Sequence, residues 1–171
     1  MSWFSLKTEK VVVADSGPLI ALTILDQLSL LSHLFTEAFL PEAVFNECTV
    51  KPESVGAKEI ALAVDAGVLT VVDLPDNNKV LSLSRILDPG EAAAITLAEA
   101  KKSVLLIDER KGRKIALARK VEIIGTGAIL IHAKHKGVIS EVRPLLDALQ
   151  DQGYRLSQQL YDRLLELANE D

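Results

Sequence analysis

The sequence predicts a three-layer α/β/α fold around a central, mostly parallel sheet of four or five strands. First, short apolar runs alternate with helical stretches through most of the 171 residues. Second, residues 104–107 are apolar throughout, as expected for a strand buried on both faces of a parallel sheet. Third, Asp15 and Asp108 directly follow two of these runs. That position is the sheet edge where parallel α/β proteins form their sites.

Five apolar or β-branched runs carry the predicted strands. They lie at residues 11–14, 38–40, 69–72, 104–107 and 122–124. Helical stretches separate the runs, with a loop at residues 73–78. The first predicted helix begins at Gly17-Pro18, and the second covers residues 27–35. A third follows Pro41, and two more cover residues 53–66 and 89–101. Another helix follows Asp108, and the last ones run from Thr126 towards the C-terminus.

Proline, glycine and threonine mark where helices begin and end. Pro18, Pro41 and Pro89 stand at expected helix starts, because the first helical turn does not need the N–H that proline lacks. Gly67 closes the helix before the third strand. Thr126 is the predicted N-cap of the helix that follows the last strand.

The composition favours a globular protein of the cytoplasm. Apolar residues make up 49% of the chain and aromatic residues only 4%, which argues against disorder and against a base-stacking nucleic-acid binder. Cys48 is the only cysteine, so an intramolecular disulfide or a multi-cysteine zinc site is excluded. No signal peptide is recognisable, and the apolar runs are shorter than the roughly 20 residues of a membrane helix.

Positive charge is concentrated in one segment of an otherwise acidic chain. The net charge is −5, yet residues 101–120 contain eight lysines and arginines against Asp108 and Glu109. Such a segment can dock a phosphodiester backbone. It can equally be the solvated face of a helix.

Four acids are candidates for a shared site. Asp15 and Asp108 end strands, Glu47 lies on the helix after the second strand, and Glu91 begins the helix before the fourth. Each has a structural explanation of its own, such as Glu91 complementing a helix dipole. Together, in one cleft, they would repel one another unless a divalent cation were bound. Mg²⁺ and Mn²⁺ prefer such oxygen ligands and can activate water against a phosphodiester.

Several of these segments resemble a PIN domain, and in particular prokaryotic PIN-like proteins related to VapC-type toxins. The segments are Val12-Val13-Ala14-Asp15-Ser16-Gly17-Pro18-Leu19, Leu40-Pro41 with Glu47, Pro89-Gly90-Glu91-Ala92, and Leu105-Leu106-Ile107-Asp108-Glu109-Arg110. Gly112-Arg113 with Ala116, and Gly125-Thr126-Gly127, match as well. The resemblance spans about residues 11–137 and continues weakly through Gly153-Tyr154. It implies an N-terminal extension at 1–10, a PIN-like domain at 11–140, and C-terminal helices at 141–171 packed on the same domain.

The resemblance also implies roles for individual residues. Asp15, Glu47, Glu91 and Asp108 fall on metal-binding and catalytic positions. Ser16 matches a hydroxyl residue that orients the first aspartate, and Glu109 and Thr126 are further supporting residues. Arg110 and Arg113, together with Lys114 of the basic segment, are expected to contact phosphate. The sequence departs from many relatives at Glu109, where they have aspartate, and at Glu91, which has a longer reach than aspartate.

The implied activity is that of a Mg²⁺- or Mn²⁺-dependent endoribonuclease, as in the toxin of a toxin–antitoxin pair. RNA, an antitoxin protein and a second copy of the chain are the implied partners, with no membrane. One alternative is a PIN-like module that binds RNA or protein without cutting. Another is a structural subunit that binds a partner through the apolar residues of its C-terminal stretch, Leu156, Leu160, Leu164, Leu165 and Leu167.

Two other acidic α/β classes are disfavoured by single residues. A receiver domain needs a paired acid beside Asp15, where Ser16 stands. A haloacid-dehalogenase-type phosphatase needs an acid two residues after Asp15, where Gly17 stands. The Gly125-Thr126-Gly127 turn comes too late for a dinucleotide fingerprint, which should open the first βα unit.

Overall fold

A computed structural model describes residues 10–74 and 77–171. Of the predicted extension at 1–10, only Lys10 is among the described residues. Residues 75 and 76 of the predicted loop also lie outside them. The strands are β1 Val11–Ala14, β2 Glu37–Pro41, β3 Thr70–Val72, β4 Val104–Leu106 and β5 Ile123–Ile124. They form one parallel sheet in the order β3-β2-β1-β4-β5, which confirms the predicted fold class.

Helices connect the strands and cover the sheet. In the described part of the chain they are α1 Ser16–Ile24, α2 Leu30–Leu34, α3 Glu42–Thr49, α4 Ala57–Asp65, α5 Asn78–Leu83, α6 Pro89–Lys101, α7 Arg110–Ala118, α8 Thr126–His135, α9 Arg143–Asp151 and α10 Gln158–Ala168. Among these residues, none of the helices has the length and apolar character needed to cross a bilayer.

Several predicted boundaries were wrong for local backbone reasons. The helix expected from residue 53 begins only at Ala57, because Gly56 before it has φ +82°, a left-handed conformation outside the helix. The helix expected over residues 27–35 is shortened to Leu30–Leu34. Pro41 is the last residue of β2 and the N-cap of α3, rather than a residue of its first turn.

Two further differences involve helix caps. The predicted loop at 73–78 is one residue too long, because α5 already begins at Asn78. The Asn77 side chain caps this helix by accepting hydrogen bonds from the N–H groups of Lys79 and Val80. At the start of α8, Gly125 occupies the N-cap position and Thr126 is already helical. The Thr126 hydroxyl is therefore available for another partner.

The centre of the sheet is completely buried, which fixes the position of the site. Val12, Val13 and Ala14 of β1 and Leu105 and Leu106 of β4 have no exposed surface. Strands β1 and β4 are neighbours, while the chain winds outward from β1 through β2 and β3 on the other side. The strand order therefore reverses between β1 and β4, and a crevice is expected at their carboxyl ends.

The C-terminal helices pack on the same layer as α8. The backbone of Gly127 lies so close to α10 that a Cβ there would be 2.7 Å from Leu164. The Glu170 carboxylate accepts bonds from the N–H groups of Val142 and Arg143, at 2.7 and 3.0 Å, and from Lys134 Nζ at 3.0 Å. This carboxylate thereby ties the end of the chain to α8 and to the start of α9.

We expect Glu170→Gln to lower the free energy of unfolding by about 1–3 kcal/mol, because an amide cannot replace a carboxylate that accepts three donors. Denaturant unfolding measures this change. Glu166→Gln is the matched control, since its bond to Arg163 is an exposed i,i+3 pair worth only about 0.5 kcal/mol. Equal effects of the two substitutions would contradict the anchoring role of Glu170.

Candidate active site

Two of the predicted acids follow neighbouring central strands at the carboxyl edge of the sheet. Asp15 follows β1 directly, and Asp108 follows β4 after Ile107. The Asp15 N–H donates to the carbonyl of Leu106 at 3.0 Å, which joins the ends of the two strands. The carboxyl edge of the sheet therefore carries an acid on each side of the point where the strand order reverses.

Asp15 is the most deeply buried acid of the site. Its side chain is 4% exposed, and its Oδ1 is buried with no hydrogen-bond partner among residues 10–74 and 77–171. Burial raises the pKa of Asp15 to about 7; the Ser16 N–H bond opposes the increase, while the charges of Glu91, Asp88 and Glu47 add to it. Near neutral pH, a proton or a cation is therefore needed to stabilise this carboxylate.

Glu47 reaches the same edge from α3. Burial, followed by the charge of Asp88, raises the pKa of Glu47, and a hydrogen bond from the Ser16 side chain opposes this increase. Ser16 thus contacts Asp15 through its N–H and Glu47 through its hydroxyl. The carboxylate of Glu47 lies against Gly90, where a Cβ would be 2.5 Å from Oε2.

Glu91 lies in the first turn of α6, next to Asp88, which is not among the acids predicted from the sequence. Glu91 is buried, with 8% of its surface exposed. Its N–H donates to Asp88 Oδ1 at 2.8 Å, so that Asp88 caps α6. Burial and the charge of Asp88 raise the pKa of Glu91, and Glu109 adds to the effect. The acidic group therefore comprises Asp15, Glu47, Glu91 and Asp88.

Asp108 is held by donors from two distant elements. Its Oδ1 accepts the Thr126 N–H at 2.8 Å, and its Oδ2 accepts the Thr126 hydroxyl at 2.5 Å. The Tyr154 hydroxyl also donates to Oδ2. Burial and the negative charge of Asp108 raise the pKa of Tyr154 far above its ordinary value, so that the phenol stays protonated.

The predicted RNA-contacting residues lie on α7, beside Asp108. Arg110 and Lys114 are exposed, whereas Arg113 is half-buried and donates through Nη1 to the Ile107 carbonyl at 2.7 Å. Glu109 caps α7 by accepting the Lys111 N–H at 3.3 Å. Among the residues that the structure describes, Arg110 and Lys114 make no hydrogen bond of the kind that Arg113 makes.

Asp88 and Tyr154 do not follow strands and were not predicted as site residues from the sequence. Asp88 could have been found, because an acid three residues before Glu91 and next to Pro89 is a capping-box pattern. Tyr154 is 46 residues from its partner Asp108 and lies between two helices. Only the folded arrangement of α8, α9 and α10 reveals that contact.

The donor set suits a hard cation. Within residues 10–74 and 77–171, no group of three acidic, histidine or cysteine side chains lies close enough together to hold a metal ion. Mg²⁺ does not require one, because it is commonly bound by one or two carboxylates and keeps several of its waters. The unpartnered Oδ1 of Asp15 is an oxygen ligand of the required kind.

Comparison with known families agrees with this architecture. The sequence profile of a PIN domain family matches residues 11–170, which includes all five strands and the C-terminal helices. No match is found among proteins of curated function. Because the match covers nearly the whole chain, the protein belongs to the PIN-domain family.

Proposed function

We propose that this protein is a Mg²⁺- or Mn²⁺-dependent endoribonuclease, with Asp15, Glu47, Glu91 and Asp108 as metal ligands. PIN domains are generally nucleases and generally use divalent metal ions. Membership in the family therefore supports hydrolysis of a nucleic acid. The residues at the carboxyl edge of the sheet support the choice of these four acids.

One observation carries the proposal: Asp15 Oδ1 is buried without a partner among carboxylates that raise the pKa of Asp15. A protein core rarely keeps a carboxylate oxygen in this condition. Purely structural acids are paired, as Glu170 is with Val142, Arg143 and Lys134. The crevice therefore has the electrostatics of a cation site.

The protein's own groups have separate tasks in such a reaction. Asp15 and its acidic neighbours bind and orient the cation, while the hydroxyl and N–H of Ser16 hold Glu47 and Asp15 in place. A bound divalent cation supplies an activated water and stabilises the leaving oxygen. Arg110 and Lys114 on the exposed side of α7 attract the RNA backbone towards the crevice.

We expect RNA cleavage to require added Mg²⁺ or Mn²⁺ and to fall about 100-fold or more in Asp108→Asn, because the substitution removes a charged ligand. A metal titration of RNA cleavage measures both effects. Asp147→Asn is the matched control, since Asp147 also accepts a tyrosine hydroxyl but lies exposed on α9. Equal cleavage by wild type and Asp108→Asn at every metal concentration would refute the assignment.

The same metal titration distinguishes a ribonuclease from the alternative function, a PIN-like module that binds RNA without cutting it. Tight RNA binding without cleavage, under every metal, would identify a non-catalytic RNA-binding module. A role as the toxin of a toxin–antitoxin pair, with an antitoxin protein and a homodimeric state, is a further proposal that rests on the resemblance to VapC-type proteins. Arrest of growth on expression, dependent on Asp15, tests that role.

A further inference from the structure

The Asp108 carboxylate has an uneven set of hydrogen bonds. Oδ2 accepts the hydroxyls of Thr126 and Tyr154, while Oδ1 accepts the Thr126 N–H. Within the described part of the chain, two donors use both lone-pair sites of Oδ2, whereas Oδ1 keeps one site open. Three donors from two directions also prevent the carboxylate from rotating about its Cβ–Cγ bond.

Tyr154 is itself firmly placed. It follows Gly153, which has φ +84°, and its N–H donates to the Leu149 carbonyl at 2.9 Å. These features belong to the connection between α9 and α10. The half-buried ring also lines a cavity of about 220 Å³, bounded on its apolar side by Leu146 and Leu164. The phenol is therefore brought to Asp108 by the C-terminal part of the chain.

We infer that Tyr154 is a positioning residue, whose hydroxyl fixes the Asp108 carboxylate so that Oδ1 is the oxygen left to accept a cation or its water. The inference rests on the proposed function. It extends the site beyond the strand ends, because the connection between α9 and α10 then completes it. The C-terminal helices act on the metal through Tyr154, in addition to packing on α8.

Phenylalanine is the substitution that isolates the hydroxyl. Tyr154→Phe keeps the ring that lines the cavity, whereas alanine would enlarge the cavity and confuse the result. Tyr161→Phe is a matched control, because Tyr161 donates to Asp147 at 2.6 Å on the same C-terminal helices. The chain has only these two tyrosines. In a spectrum of the tyrosine rings, the signal that remains in each variant therefore belongs to the other tyrosine.

We expect Tyr154→Phe to bind Mn²⁺ about 10-fold more weakly in calorimetric titration, as is typical when a ligand loses its supporting hydrogen bond. RNA cleavage should need a correspondingly higher Mn²⁺ concentration while the KM for RNA stays unchanged. Tyr161→Phe should match wild type in both measurements. A loss of packing alone would lower the melting temperature without this selective shift in metal dependence.

A measurement on the wild-type protein avoids any folding defect of a variant. With ¹³C-labelled tyrosine, Mg²⁺ should shift the ring signal of Tyr154 and leave that of Tyr161 in place. Unchanged Mn²⁺ affinity in Tyr154→Phe, or an unmoved Tyr154 signal on saturation with Mg²⁺, would overturn the positioning role and leave the proposed nuclease intact. Tighter Mn²⁺ binding would also overturn it, since the hydroxyl would then compete with the metal. If wild type binds no divalent cation, the proposed function fails first and the positioning role fails with it.

Discussion

Asp15→Asn is expected to abolish metal-dependent RNA cleavage and to make the metal-free protein more stable at pH 8. The wild-type carboxylate is 4% exposed, with Oδ1 unpartnered and other acids nearby. An amide of the same shape removes the negative charge from this environment. The same substitution therefore removes a metal ligand and relieves electrostatic repulsion.

The pH dependence follows from the pKa of Asp15, which rises from 3.8 to about 7 on folding. Between these values the folded protein binds more protons than the unfolded chain, so its stability falls as the pH rises. This contribution is fully present below about pH 4 and is lost by about pH 7. Its size is at most about 4 kcal/mol, from roughly 1.4 kcal/mol per pKa unit.

Asp15→Asn should lack this decrease between pH 4 and 7. At pH 8 we expect a net gain of about 2 kcal/mol over metal-free wild type, because an unpartnered buried amide costs about 1–3 kcal/mol. Denaturant unfolding in chelator at pH 5 and pH 8 measures the difference. Asp65→Asn, at an exposed position on α4, serves as the control: it keeps Asp15 and should therefore retain the decrease in stability seen in wild type. A variant less stable than wild type at pH 8 would contradict the argument.

Added Mg²⁺ should make wild type more stable than Asp15→Asn, which reverses the order expected without metal. A cation that binds only the folded wild type adds about 2.7 kcal/mol at a concentration of 100 times its Kd. Asp15→Asn lacks the ligand and should gain little. Addition of Mg²⁺ to the unfolding experiment therefore tests the cation site without an activity assay.

The strand ends were predictable because two local patterns agree there. Residues 11–14 and 104–106 are apolar and bounded by an acid or a turn, and both proved to be central strands. A parallel sheet necessarily brings the residues after such strands to one edge. The positions of Asp15 and Asp108 along the chain therefore already placed both residues at this edge of the sheet.

Other features depended on contacts that a linear pattern does not contain. Gly56 and Gly125 are the N-caps of α4 and α8, and their backbone conformations moved the predicted starts of these helices. Asp88 joined the site by capping α6, and Tyr154 joined it through the packing of α9 and α10. Local propensity is overridden in these cases by caps and by tertiary packing.

Gly90→Ala is expected to impair metal binding while leaving the fold intact. A Cβ at this position would lie 2.5 Å from Glu47 Oε2 but 3.5 Å, an ordinary contact, from Val44 Cγ2. Glu47 is only partly covered by protein, and its flexible side chain can swing into solvent. The collision therefore displaces a proposed ligand and leaves the core unchanged. We expect Mn²⁺ affinity and cleavage to fall about 10-fold or more, the size of effect seen when ligand geometry is disturbed.

The chain provides a closely matched control for this substitution. Gly17 is the second residue of α1, as Gly90 is the second residue of α6, and a Cβ at Gly17 would meet no atom within 4 Å. Both alanines should preserve or raise the melting temperature, because alanine is favoured over glycine in a helix by up to about 1 kcal/mol. Only Gly90→Ala should lose Mn²⁺ affinity in calorimetry. Wild-type affinity in that variant would remove Glu47 from the metal site, whereas a large drop in melting temperature would mean that Glu47 cannot move aside.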